Sequence, residues 1–389
     1  MDKVQAINPA RIAWCCEQAG LSLDGLARAT KIAPATLQRV MDGEDGLSVT
    51  QLGRIAAVCD RGLLFFLEPD PVDDRTLHSA QFRTLSNQKP TLSPRVKALV
   101  ERVERQRALY LSLLEDMDEA PEATWFPDHL NLTAAQPKQA ARQVREWLGL
   151  GASADGRVDF HQYREAVEAK GVMVLVSNGY QGQWQIAKDS PIRGFSLYFE
   201  RLPVIVIKKQ GTDGPQAFTL MHELAHLLLH RESVIDDEDD FHSYQGKEKQ
   251  ANAFAGHLLV PDAWLKRIDL NGLAEDDVAA YDAHLHDQAR AWCVSVEVIL
   301  RRLMDSDRLS AAQYHAYRKW KQKLPIPEPQ SGGMRYRHSE PLKMFGQAYV
   351  GTVLDALHGN LITLAKASTY LDNLKIKDLR RLEETHARL

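Results

Sequence analysis

A chain of 389 residues is longer than one ordinary domain, so two or three domains are expected. Its 44% hydrophobic and 26% charged residues describe a soluble globular protein. The formal net charge of −4 excludes a whole-protein basic field for nucleic acid, and no run approaches the length of apolar sequence that a membrane span requires. Met1-Asp2-Lys3-Val4 leads into no apolar stretch, so no secretory signal is expected and the cytoplasm is the expected compartment. The cysteines are Cys15, Cys16, Cys59 and Cys293; without a Cys-x-x-Cys they suggest neither a disulfide framework nor a thiolate metal site.

Residues 8–68 read as a run of short helices, in a first domain of residues 1–69. Within it, Leu21-Ser22-Leu23-Asp24-Gly25-Leu26-Ala27-Arg28-Ala29-Thr30-Lys31-Ile32 is followed by Ala33-Pro34-Ala35-Thr36-Leu37-Gln38-Arg39-Val40-Met41-Asp42-Gly43. This stretch resembles a helix-turn-helix of the XRE/Cro repressor type, with Leu26, Ala27, Ile32, Leu37 and Val40 at its core positions. The resemblance implies a second helix lying in the major groove of a DNA operator. Leu23 and Pro34, however, stand where the family usually carries polar side chains, and neither can hydrogen-bond a base edge. Residues 1–70 also hold seven Lys/Arg against nine Asp/Glu, a poor balance for phosphate contacts. Lys31, Thr36, Gln38 and Arg39 remain the candidate DNA contacts. The alternative is a helical module for homodimerisation or for docking a partner.

Pro69, Pro71 and Pro90 mark residues 70–92 as a linker. A helical connector over 93–170 opens with Ser93 as N-cap and Pro94 in the first turn, and Val96, Leu99, Val100, Val103, Tyr110 and Leu113 repeat at helical spacing. Strands are predicted at 171–176, 195–199 and 204–207, the last two joined by a turn over 200–203. Gly211 to Pro215 reads as a break and Phe218 to His230 as a helix. The chain returns to helices after Pro261, and a polar break from Pro325 to Gly333 precedes a helical tail.

The strongest signal is Met221-His222-Glu223-Leu224-Ala225-His226-Leu227-Leu228-Leu229-His230. Histidines four apart share one helix face and can reach one ion, while Glu223 is placed to take a proton from water rather than to bind metal. With 14 His and 22 Glu in the chain, His-Glu-x-x-His arises by chance in roughly 3% of such sequences, before asking for the apolar back face that Leu220, Leu224, Leu227 and Leu228 supply. A catalytic zinc needs a third protein ligand, and Glu248-Lys249-Gln250-Ala251-Asn252-Ala253-Phe254-Ala255 offers Glu248 on a second helix. Asn252, one turn on, would accept a hydrogen bond from a ligand imidazole. The bland alternative is a solvated Glu248 between Lys247 and Lys249. His230 is expected to pack or cap the helix end, and His257, two and a half turns after Glu248, is a candidate oxyanion donor. The acidic run Asp236–Asp240 reads as a solvated loop.

Phe218 to His226, Glu248 to Ala255 and Leu258-Leu259-Val260-Pro261 together resemble the ImmA/IrrE family of metallopeptidases over roughly residues 170–300. The resemblance implies a gluzincin-like Zn2+ site with His222, His226 and Glu248 as ligands and Glu223 as the general base; His257 departs from the family, which more often carries an acidic residue there. The predicted architecture is multidomain and mainly α. It joins the helix-turn-helix domain to an α+β gluzincin-like metallopeptidase core at 171–305, with a small mixed sheet, and ends in a helical C-terminal extension at 306–389. The function expected is an endopeptidase acting on a protein or peptide, such as a repressor. The rival is a non-enzymatic transcriptional regulator or antitoxin that binds DNA or a toxin partner through a protease-like fold.

Overall fold

The computed structural model describes residues 3–44, 46–59, 61–70, 72, 85, 88, 92–119, 125–151, 157–177, 182–243, 245–275, 277–324 and 336–386. It is mainly helical with one small mixed sheet among the described residues, as the sequence predicts. Two compact units divide it, residues 1–104 and 105–389. No described helix is long and apolar enough to cross a membrane.

In the first unit, α1 (Pro9–Ala19), α2 (Leu23–Thr30), α3 (Pro34–Met41) and α4 (Val49–Cys59) enclose one core. Asn8 and Ser22 cap α1 and α2 through their side-chain oxygens, satisfying amides that the helices leave orphaned. Leu26, Ala27, Ile32, Leu37 and Val40 are all buried there. Most of the expected 70–92 linker lies outside the described residues. Ser93 Oγ accepts from Val96 N at 3.4 Å and so caps α5 (Pro94–Asp116). The division between the units falls inside this helix.

The second unit continues with α6 (Pro137–Trp147), α7 (Phe160–Glu168), β1 (Met173–Val176), β2 (Ile192–Leu197), β3 (Val204–Ile207) and α8 (Asp213–Ala225). A π turn over His226–His230 extends α8, and β4 (Val234–Asp237) and α9 (Gly246–Leu259) follow. Then come α10 (Asp262–Leu265), α11 (Tyr281–His284), α12 (His286–Ala291), α13 (Val296–Asp305), α14 (Ala311–Lys321), α15 (Glu340–His358), α16 (Leu364–Tyr370) and α17 (Ile376–His386). The strand order is β1-β3-β2-β4, with β1 parallel to β3 and the other pairs antiparallel. Helix α8 packs on β2 and β3 and on α9, and α9 packs in turn on α6. Ala140, Ala141 and Val144 of the expected connector therefore belong to the same core as Leu220, Leu224, Phe254 and Leu258.

Two expectations need correction. The acidic run read as solvated loop contains a fourth strand: Val234, Ile235 and Asp236 of β4 are buried, and Asp236 sits opposite Gly194 of β2 beside a register irregularity. Two apolar residues followed by acids look like the edge of a loop, and their partner strand is invisible from local sequence. The Gly211–Pro215 break is also shorter than expected, since α8 already begins at Asp213. Pro215 occupies the first turn, where its missing N–H costs nothing. Gly214 is needed because a β-carbon there would lie 2.7 Å from the Val294 carbonyl carbon.

Candidate metal centre

Helix α8 is buried nearly all round, because the sheet covers one face and α9 the other. The result is that His222, Glu223 and His226 have no solvent exposure at all. The two histidines lie one turn apart, with their Nε2 atoms 3.1 Å from each other. Glu248, in the first turn of α9, brings Oε2 to 3.2 Å from His222 Nε2 and 3.4 Å from His226 Nε2. Asp236 of β4 adds Oδ2 at 3.5 and 3.6 Å from the same two nitrogens. One donor atom from each of the four residues falls within 4.8 Å of the others.

The hydrogen bonds behind His226 set its tautomer. Gln250 Oε1 lies 3.1 Å from His230 Nε2, and His230 Nδ1 lies 3.0 Å from His226 Nδ1. An amide oxygen only accepts, so His230 Nε2 carries a proton. Burial, followed by the neighbouring His226, pushes His230 down to about 4, so the ring is neutral and its Nδ1 can only accept. His226 must then donate from Nδ1, and its Nε2 is the nitrogen that faces the cluster. His230 thus orients His226, a more specific task than closing a helix end.

The cluster fits a divalent cation. It gathers imidazole and carboxylate lone pairs, and both Asp236 oxygens and both Glu223 oxygens lack hydrogen-bond partners although buried. Without a cation, His222 is pushed up to about 9: burial opposes its charge, and the Asp236 and Glu248 carboxylates outweigh burial. Burial likewise works to raise Glu248, but hydrogen bonds from His222 and His226 hold it well below the carboxylate range. A metal would compete with the proton on His222, so its uptake should release protons.

Glu223 lies on α8 facing β2. Burial, then Asp236, pushes its carboxyl well above the usual range, with the Ser196 hydroxyl acting the other way. Room for that carboxylate depends on Gly194, where a β-carbon would sit 2.7 Å from Thr219 Cγ2 and 2.8 Å from Glu223 Oε1. A glycine inside a strand signals this kind of close approach, and starting the strand at residue 195 hid it. Phe241 was also missed: its ring stacks on His222 at 4.4 Å between centroids. Phe241 also lines a cavity of about 260 Å³, together with Phe218, Thr219, Asn252, Arg193 and Arg301.

Two expected residues stand elsewhere. Asn252 donates from Nδ2 to the Asp240 carbonyl at 3.0 Å and makes no imidazole hydrogen bond among the described residues. His257 is turned away, with Nδ1 3.7 Å from Asp262 Oδ1 beside Arg302 and Lys138. The reason is geometric: at about 100° per residue, two and a half turns from Glu248 is the opposite face of the helix. In the first unit Lys31, Gln38 and Arg39 are exposed and Thr36 is half-buried, while Gln38 Nε2 donates to Asp42 Oδ1 at 3.0 Å.

Fold and site together define an α+β domain with a buried His/Asp/Glu constellation suited to metal. The model of the peptidase M78 family, the IrrE N-terminal-like domain, matches residues 170–304. This span runs from three residues before β1 into the last turn of α13, contains the whole constellation, and points to a metallopeptidase. No curated protein matches the chain.

Proposed function

We propose that the second unit is a zinc-dependent endopeptidase, with His222, His226 and Glu248 as metal ligands and Glu223 as general base. The observation that carries this reading is Glu223 itself. Its carboxylate is fully buried and unpartnered, beside a metal cradle and above a glycine that makes room for it. A purely structural carboxyl so placed would have to stay protonated and would still leave buried polar atoms without hydrogen bonds. Zinc held there would supply Lewis-acid polarisation of a peptide carbonyl and of water. Glu223 then accepts the proton of the attacking water at a carboxylate oxygen and delivers it to the departing amide nitrogen. Among the described residues strand β4 ends the strand order and lies next to the cluster, where the sheet would present an extended peptide to the metal. The N-terminal helices would couple this activity to a regulatory partner, such as a repressor, or to a DNA operator.

The complete burial of His222, Glu223 and His226 favours a second reading, a non-enzymatic regulator or antitoxin that holds its partner. Glu223→Gln separates the two. The variant keeps its shape and metal but cannot take the proton, so turnover of a peptide-library substrate should fall by about 10²- to 10⁴-fold and the cellular effect should vanish. Unchanged turnover and phenotype at parental metal content would overturn the peptidase reading.

A further inference from the structure

We infer that Asp236 is a fourth protein ligand at this centre and holds the resting site closed. The inference rests on the metal-site part of the reading above and adds to it the occupant of the position that a catalytic zinc leaves open. The five measured separations among His222 Nε2, His226 Nε2, Glu248 Oε2 and Asp236 Oδ2 run from 3.1 to 3.6 Å. The sixth is bounded by the 4.8 Å that encloses all four donor atoms, so the point equidistant from these four corners lies roughly 1.9–2.4 Å from each, close to zinc–nitrogen and zinc–oxygen bond lengths. Asp236 therefore occupies a corner, at ligand distance, and does not merely stand behind another ligand.

Its surroundings supply no other role. Asp236 is 1% exposed, and neither of its carboxylate oxygens has a hydrogen-bond partner. Its nearest basic groups are the His222 and His226 Nε2 atoms at 3.5 and 3.6 Å, at or beyond the limit of a hydrogen bond, and a cation held between them would pair the anion. The neighbouring Glu223 is a second buried carboxyl whose oxygens have no hydrogen-bond partner. Structural zinc sites are closed by four protein ligands, whereas catalytic ones keep a position for water or substrate. Four protein ligands here mean that water reaches the metal only when Asp236 withdraws. That residue sits on β4, at the end of the strand order among the described residues and beside the β2–β4 register irregularity, the kind of feature that re-aims a side chain next to a site.

The test uses the full-length protein loaded with Co2+ and azide as the probe of an open position, followed by visible absorption. The parent should show a four-coordinate spectrum that azide leaves unchanged. Asp236→Ala should bind azide with a spectral change, and should hold metal at least ~10-fold more weakly in chelator competition. Asp236→Asn, nearly isosteric, covers the case in which the alanine variant fails to fold and should shift both readouts in the same direction. A parent that takes up azide as readily as the variants, at equal metal affinity, overturns the fourth ligand and leaves the peptidase reading intact. A parent that takes up no Co2+ or Zn2+ at all overturns both.

Discussion

Two of the buried charged clusters in the second unit are satisfied in opposite ways. In the first, Arg164 of α7 is 3% exposed and donates from Nε to Glu168 Oε1 at 2.8 Å. Its Nη2 donates to the Val174 carbonyl of β1 at 2.5 Å and the Met344 carbonyl at 3.2 Å, and its Nη1 to the Lys343 carbonyl at 2.8 Å. Those last carbonyls end the first part of α15, where Gly346 turns the backbone at φ 85. A β-carbon at Gly346 would collide with the Glu168 carboxylate. In the second cluster, the carboxylates of Glu223 and Asp236 have no donors. Arg164 is what a structural buried charge looks like, with each charged nitrogen matched to an acceptor. The α8–β4 cluster looks like a site that awaits something.

The largest effect that would test this contrast is on folding. Arg164→Met leaves Glu168 buried without its partner and three carbonyls without donors, so urea unfolding should show a loss of about 3–5 kcal/mol. The molecules that remain folded should take up metal as the parent does. A loss below about 1 kcal/mol would mean that the matched Arg164 cluster contributes little to the fold and would remove the contrast.

His257 offers a smaller, intermediate case, a half-buried titratable group with one weak partner. Burial, then Arg302, pushes it down to about 4, with Asp262 opposing. Because the folded state binds this proton less tightly than the unfolded chain does, its contribution is complete above about pH 6.5 and is lost as pH falls toward 4. The loss attributable to this residue should reach up to roughly 3 kcal/mol, and His257→Gln should flatten that part of the stability profile. An imidazole titrating near 6.5 by NMR would show that the residue is solvated after all.

Sequence alone carried the reading as far as local periodicity reaches. The His222/His226 spacing, the apolar face of α8, the Glu248 helix and three of the four strands are all local patterns. Asp236 was hidden because acidic neighbours mimic a solvated loop and its burial comes from pairing with β2, some forty residues earlier in the chain. Arg164 gave no signal, since its acceptors lie on β1 and near residue 343. The shared core of α6, α8 and α9 was likewise illegible, because contact between distant helices leaves no mark in either sequence. His257 could have been placed correctly by counting turns instead of residues.

The metal is the feature on which both the fold's buried carboxyls and the proposed chemistry depend. Elemental analysis of the purified full-length protein should find about one zinc per chain, and the double variant Glu248→Ala with Asp236→Ala, handled identically, should lose most of it, because two histidines alone make a poor site. Full zinc occupancy in the double variant, or none in the parent, would contradict the metal site.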